Sequence, residues 1–295
     1  MARVSLVSTP NRAAGVRRAI ALLESNSVQG KQVVLKPNFN SADEAPGSTH
    51  IDTLRALIES LDRMGVSSIT LAERSGPGDT TRTVMDKKGV LRLAEELGVR
   101  VVNLQEVDQD QWVHVRPAGS HWPDGFLFPR VYAEAECIVM TCCLKTHAFG
   151  GHFTMSLKCS VGMVPGGSPY MSALHASPHQ REMIAEINTA YSPALVVLDG
   201  VEAFVDGGPA HGTRVNANVV LASNDRVAID AVGVAVLRSL GTTPEVSRGR
   251  VFQQDQIARA AELGLGVTSP EQIELATDNP ESGTFAAGIM EILLA

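Results

Sequence analysis

The sequence predicts an α/β fold, with mainly parallel sheets flanked by helices, arranged as two α/β lobes with a site between them. Two observations carry this. Short apolar runs of strand length recur along the chain, and several close in a Pro, Gly, Asn or Asp loop. Between them lie helix-period segments long enough to cross over a sheet, in the order strand, helix, strand, helix, strand.

Val33-Val34-Leu35 reads as a buried strand that runs into Lys36-Pro37-Asn38. Ser48 or Thr49 caps a helix whose apolar rhythm is Ile51, Leu54, Leu57, Ile58 and Leu61. Gly65 ends it, and Ser68 to Ala72 is the next strand. A second helix spans Thr83 to Leu97 with a break near Gly89, and Val99 to Asn103 is a third strand. The pattern weakens from Gln109 to Pro129, apart from a short strand at His114 and Val115. The lobes are therefore divided near residue 125, as 1–125 and 126–295. Cys137 to Met140, Leu195 to Leu198, Asn218 to Ala222 and Ile273 to Ala276 are further strands. Helices are expected over Met183–Ala190, after an Asn224-Asp225 cap, and over Asp255–Leu263. In parallel sheets ligands collect at the carboxyl ends of strands, so the loops after Leu35 and Ala72 are where function is expected.

Composition limits the partners. With 44% hydrophobic residues among 295, the chain can bury a substantial core. A formal net charge of −7 argues against nucleic acid. No apolar run approaches the roughly 20 residues needed to span a membrane, and the first residues lack the apolar centre of a secretory signal. A cytoplasmic protein acting on a small molecule is expected. The composition leaves its oligomeric state open. The four cysteines, Cys137, Cys142, Cys143 and Cys159, form no C-x-x-C pair and read as buried, reduced thiols.

The stretch Thr141–Gly166, TCCLKTHAFGGHFTMSLKCSVGMVPG, holds the densest chemistry. It follows an apolar strand and is read as a strand-end loop. Lys145 and Lys158 beside Gly150 and Gly151 suit phosphate or carboxylate binding, because lysines and unhindered backbone amides both approach anions. A histidine such as His147 suits proton transfer near neutral pH. The spacings of His147, His152 and His175 also raise a divalent-metal reading. Asp79-Thr80-Thr81-Arg82 is either a helix cap with a solvated Arg or an anion clamp. Asp206, in a Gly-Gly-Pro turn, adds a carboxylate. Asp230, inside an apolar helix, needs a buried partner, and a structural one is expected. Lys36, Asn38, Thr49 and His50 complete the expected lining. Lys145, His147 and Lys158 are the catalytic candidates.

These residues carry a resemblance. VVLKPNFN at 33–40, GSTHIDTLRALIESLDRMG at 47–65, LKTHAFGGHFTMSLKCSVGMVPG at 144–166, VVLDGVEAFVDGGPAHG at 196–212 and LASNDRVAIDAVG at 221–233 resemble the DUF362 family, whose function is unknown. Many members carry a ferredoxin-like segment with cysteine-rich cluster motifs, which this chain lacks. Cys159 stands where the family pattern has Asn. A fainter similarity is to nickel-pincer lactate racemases, through Asp79-Thr80-Thr81-Arg82, the run from His147 to Lys158, and His175. That similarity implies Lys158 as a cofactor anchor and His175 as a nickel ligand, although Met155-Ser156-Leu157 replaces the glycines before the lysine. Three roles follow: an enzyme acting on an anionic small molecule with possible metal assistance, a metal or cofactor accessory protein for a redox system, or a racemase-like enzyme.

Overall fold

Alternation along the apolar runs divides each strand's side chains between two faces. The computed structural model, which describes residues 1–295, shows helices covering both. The strands are β1 (Ala2–Ser8), β2 (Gln32–Lys36), β3 (Ser68–Glu73), β4 (Arg100–Asn103), β5 (Trp112–Val115), β6 (Phe126–Pro129), β7 (Cys137–His147), β8 (His152–Thr154), β9 (Pro193–Gly207), β10 (Gly212–Ser223) and β11 (Ile273–Ala276). All but β5 and β6 share one sheet, ordered β11-β1-β10-β9-β7-β2-β3-β4, with β8 paired to β7. β5 and β6 make a separate two-stranded ribbon. In the main sheet only β8 and β10 run against the common direction.

The helices are α1 (Arg12–Ala21), α2 (Ile51–Arg63), α3 (Thr81–Lys87), α4 (Val90–Glu96), α5 (Arg130–Ala133), α6 (Ser156–Cys159), α7 (Tyr170–Ala176), α8 (Gln180–Ile187), α9 (Arg226–Ser239), α10 (Pro244–Ser247), α11 (Asp255–Glu262) and α12 (Pro280–Leu294). α1 to α4 cover one face, packing on Val33, Leu35, Val139 and Val197. α5 to α12 cover the other, on Val34, Met140, Val196 and Leu198. In α2 the expected residues Leu54, Leu57 and Leu61 are fully buried, each worth roughly 1.5–3 kcal/mol.

Two expectations are corrected. The division into lobes 1–125 and 126–295 corresponds to no break in the sheet. β1, from the start of the chain, lies between β10 and β11, and β2 pairs with β7. The two apolar cores are the two faces of one sheet. Second, Thr141–His147 is strand and not loop. This part of β7 pairs with β9 through Lys145 and with β8 from Lys145 to His147, so its polar side chains are buried within the sheet layer.

Candidate functional site

Chain order reverses between β2 and β7. β2 leads to β3 and β4 on one side, while β7 leads to β9 on the other. Ligands of open α/β sheets bind outside strand carboxyl ends at such a reversal. There β2 ends in Lys36 and β3 in Glu73, while β7 runs past the end of β2 to Lys145 and His147.

Lys36 and Glu73 are both buried. Lys36 Nζ donates to Glu73 Oε1 at 2.7 Å and to the Pro37 carbonyl at 2.6 Å. Glu73 also accepts from the backbone N–H groups of Arg74, at 2.8 Å, and Phe39, at 2.9 Å. Arg74 is itself buried. Its guanidinium donates to the carbonyls of Ser75 and Val161, and its Nε has no partner. Gly162 closes over the ion pair. A Cβ there would stand 3.0 Å from Lys36 Nζ and 3.1 Å from Glu73 Oε1.

Lys145 is fully buried and donates to the carbonyls of Gly47 and Pro209 and, at 3.4 Å, to Asn38 Oδ1. Burial holds its pKa below the ordinary lysine value. Asn38 Nδ2 in turn faces Cys159 Sγ at 3.5 Å. Burial pushes the Cys159 thiol up, against the opposing pull of Lys36, which disfavours the thiolate a metal or nucleophilic role requires.

Lys158 lies on α6, and the charges acting on it include Lys145, Arg74 and Cys159 but no carboxylate. Burial, then Lys145, brings it down to about 8. His147 faces it across Gly151. A Cβ on Gly151 would come within 2.9 Å of both His147 Nδ1 and Lys158 Cε, so only glycine fits without displacement. The Gly151 N–H donates to His147 Nδ1 at 3.3 Å, which places the proton of the neutral ring on Nε2. Burial, then Lys158 and Lys145, pushes His147 down to about 2. His147 is therefore held neutral, because burial and the two lysines both disfavour its charged form. Of the cavity's cations, Lys158 is the one brought down to about 8.

The position of α6 is set by Asp230, the carboxylate expected to need a structural partner. Its Oδ1 accepts from Ser156 N–H at 2.9 Å and from Ser156 Oγ at 2.6 Å, and its Oδ2 accepts from Leu157 N–H at 2.9 Å. Asp230→Asn turns an NH2 toward one of these donors. It is expected to cost roughly 1–3 kcal/mol in urea unfolding and to loosen Lys158. Unchanged stability would mean that α6 is held by other contacts.

Lys36, Arg74, Lys145 and Lys158 face one partly open cavity of about 50 Å³, and Glu73 is the only carboxylate in its lining. Thr154 is in the same wall, and its buried Oγ1 has no partner.

Of the expected lining, Lys36, Asn38, Lys145 and Lys158 meet at this cavity, with His147 and Gly151 beside Lys158. The others do not. Thr49 accepts from the Asn38 backbone N–H at 2.9 Å, a structural role. His50 caps α2 through Nδ1. Asp79 and Arg82 make no anion clamp, because Asp79 pairs with Lys87 at 2.6 Å and Arg82 is exposed on α3. Gly150 turns its carbonyl to Arg181, and Asp206 is exposed in the β9–β10 hairpin. The metal trio is not assembled. No three His, Cys, Asp or Glu side chains converge where a metal ion could be held. His147 Nδ1 is occupied, His175 donates its Nδ1 hydrogen to Met171 O, and the charges acting on His152 are Arg181, Asp255, Glu245 and Arg248.

Glu73 and Arg74 were not among the expected site residues. Their one sequence signal is position, since they stand at the end of an apolar strand where the loop was already expected to matter.

Fold and site define an α/β protein with a cation-lined pocket at the reversal point of its sheet. The sequence pattern of the family described as "Domain of unknown function (DUF362)" matches residues 33–235, and the chain belongs to that family. It is 26% identical over 264 residues to a thylakoid-associated protein of Synechocystis sp., covering 85% of this chain and 75% of that one. Among solved structures, the lactate racemase apoprotein of Thermoanaerobacterium thermosaccharolyticum aligns with a TM-score of 0.46 at 14% identity, over 97% of this chain and 85% of that one. A Thermotoga maritima protein aligns with a TM-score of 0.44 at 14% identity over 63% of this chain, which spans 49% of its length. No helix is long and apolar enough to cross a membrane.

Proposed function

We propose that the chain is an enzyme that binds a small anion, a short carboxylate or an oxoanion, in the cavity at the ends of β2, β3 and β7. One observation carries the reading: four cations line a narrow, partly open space that holds a single carboxylate, with Arg74 Nε and Thr154 Oγ1 left without partners. Burying uncompensated charge costs several kcal/mol per ion, and an anion in the cavity would relieve that cost. By volume, the space suits an anionic group of about four or five water-sized atoms.

Lys36 and Arg74 are anchored from below and hold charge in place. Lys145 is fixed by its carbonyl partners. Lys158 gains and loses its proton near neutral pH, as a base or acid at the reacting centre requires. The neutral His147 ring stands beside it across Gly151, with Nδ1 on that side.

Phosphate, sulfate and acetate are expected to raise the melting temperature of the wild-type protein at pH 7, and much less that of Lys158→Met. The stabilisation is expected to fall as pH rises through about 8, where Lys158 loses its charge. Equal stabilisation of both proteins, or none in either, would overturn the reading.

A further inference from the structure

The partners of the four cations separate them by task. Lys36 is neutralised by Glu73. Lys145 has three oxygen acceptors, and Arg74 has two carbonyls. These three are pinned in place by their oxygen partners. Lys158 stands apart: it faces the cavity with no carboxylate acting on it, beside a neutral imidazole. A group needed only to hold an anion is better served by a forked guanidinium or a pinned ammonium. An unpaired amine among like charges is the arrangement that frees a lone pair for attack.

Resting on the anion-site reading, we infer that Lys158 is a nucleophile that forms an imine with a 2-oxo carboxylate, whose carboxylate is held by the fixed cations. The Lys158 Nζ lone pair attacks the carbonyl carbon, and the new C–N bond gives a carbinolamine. The carbonyl oxygen takes up two protons originating from the amine and leaves as water. The product is the C=N bond, with one water released and no oxidant or reductant involved. The two protons pass from nitrogen to oxygen through solvent at the cavity mouth, and the neutral His147 ring adds no competing positive charge beside the amine. The size also fits. A pyruvyl group that has lost its oxo oxygen keeps five non-hydrogen atoms, matching a cavity for about four or five.

The amine is available at mild pH, because Lys158 releases its proton at about 8 while an ordinary lysine does so near 10.5. The test is borohydride trapping at pH 8 with pyruvate, read by intact mass and peptide mapping of the wild-type protein. Melting curves with pyruvate and with phosphate are measured alongside. One reduced pyruvyl group per chain, on the peptide carrying Lys158 and absent in Lys158→Arg, is the expected result. Peptide mapping of the wild type locates the adduct even if the variant fails to fold. If pyruvate and phosphate both stabilise the protein but borohydride leaves Lys158 unmodified, the imine is overturned and the anion site stands. Labelling spread over exposed lysines, with none on Lys158, also overturns it. If no anion stabilises the protein and no adduct forms, both readings fall.

Discussion

Glu73→Gln is expected to destabilise the protein by about 3–5 kcal/mol in urea unfolding at pH 7. Glu73 is 1% exposed and accepts three hydrogen bonds, from Lys36 Nζ and from the N–H groups of Phe39 and Arg74. An amide in its place turns an NH2 toward at least one of these donors. It also removes the only negative charge in the cavity lining, leaving Lys36, 2% exposed, with the Pro37 carbonyl alone. Breaking one partner of a buried pair costs more than the pair contributes, because the other charge stays buried. A loss below about 1 kcal/mol would show that water reaches Lys36 and that the cavity is open. Phosphate is expected to recover more stability in this variant than in the wild type, since the cavity is then more positive. Equal recovery would place phosphate elsewhere.

Lys158→Met is expected to act in the opposite direction, stabilising the protein by roughly 1–3 kcal/mol at pH 7 while removing anion binding. The folded state holds Lys158 at about 8 against an ordinary 10.5, because burial and then Lys145 disfavour its charge. Below about 8 both the folded and unfolded states carry the proton, and the folded state bears the full penalty. Between about 8 and 10.5 the unfolded chain keeps the proton that the folded state has released, so stability rises with pH across that window. Wild-type protein should therefore gain stability from pH 8 to 10 relative to Lys158→Met. Parallel pH profiles would show that Lys158 is solvated in the folded state. A stabilised variant without anion binding would mark Lys158 as a residue kept for function at a cost to the fold.

Much of the fold was legible in the sequence. Leu54, Leu57, Ile58 and Leu61 announced α2 through their spacing, and Gly65 and Gly89 marked helix ends where the chain does adopt positive φ. The elements that escaped notice have little contrast between faces. α1 buries Gly15, Val16, Ala19 and Ile20 beneath several arginines, and α12 is apolar or small on most sides. β7 was cut short because Lys145 and His147 look like loop residues, although the sheet buries both.

The site divides in the same way. The sequence by itself determined that Lys36, Asn38, Lys145 and Lys158 belong with strand ends, because apolar runs and glycines are local signals. Only the tertiary structure decided that Glu73 and Arg74 join them, that the buried His147 ring is held neutral beside Lys158, and that Asp79, Arg82 and His152 stand apart. The contacts that settle this join residues far apart in the chain: Lys36 meets Glu73 across 37 positions, and Asn38 meets Lys145 and Cys159 across 107 and 121. Periodicity reports which way a side chain faces along its own element. A charge's partners and proton affinity depend on what other elements bring against it, and that is set only when the strands take their order in the sheet.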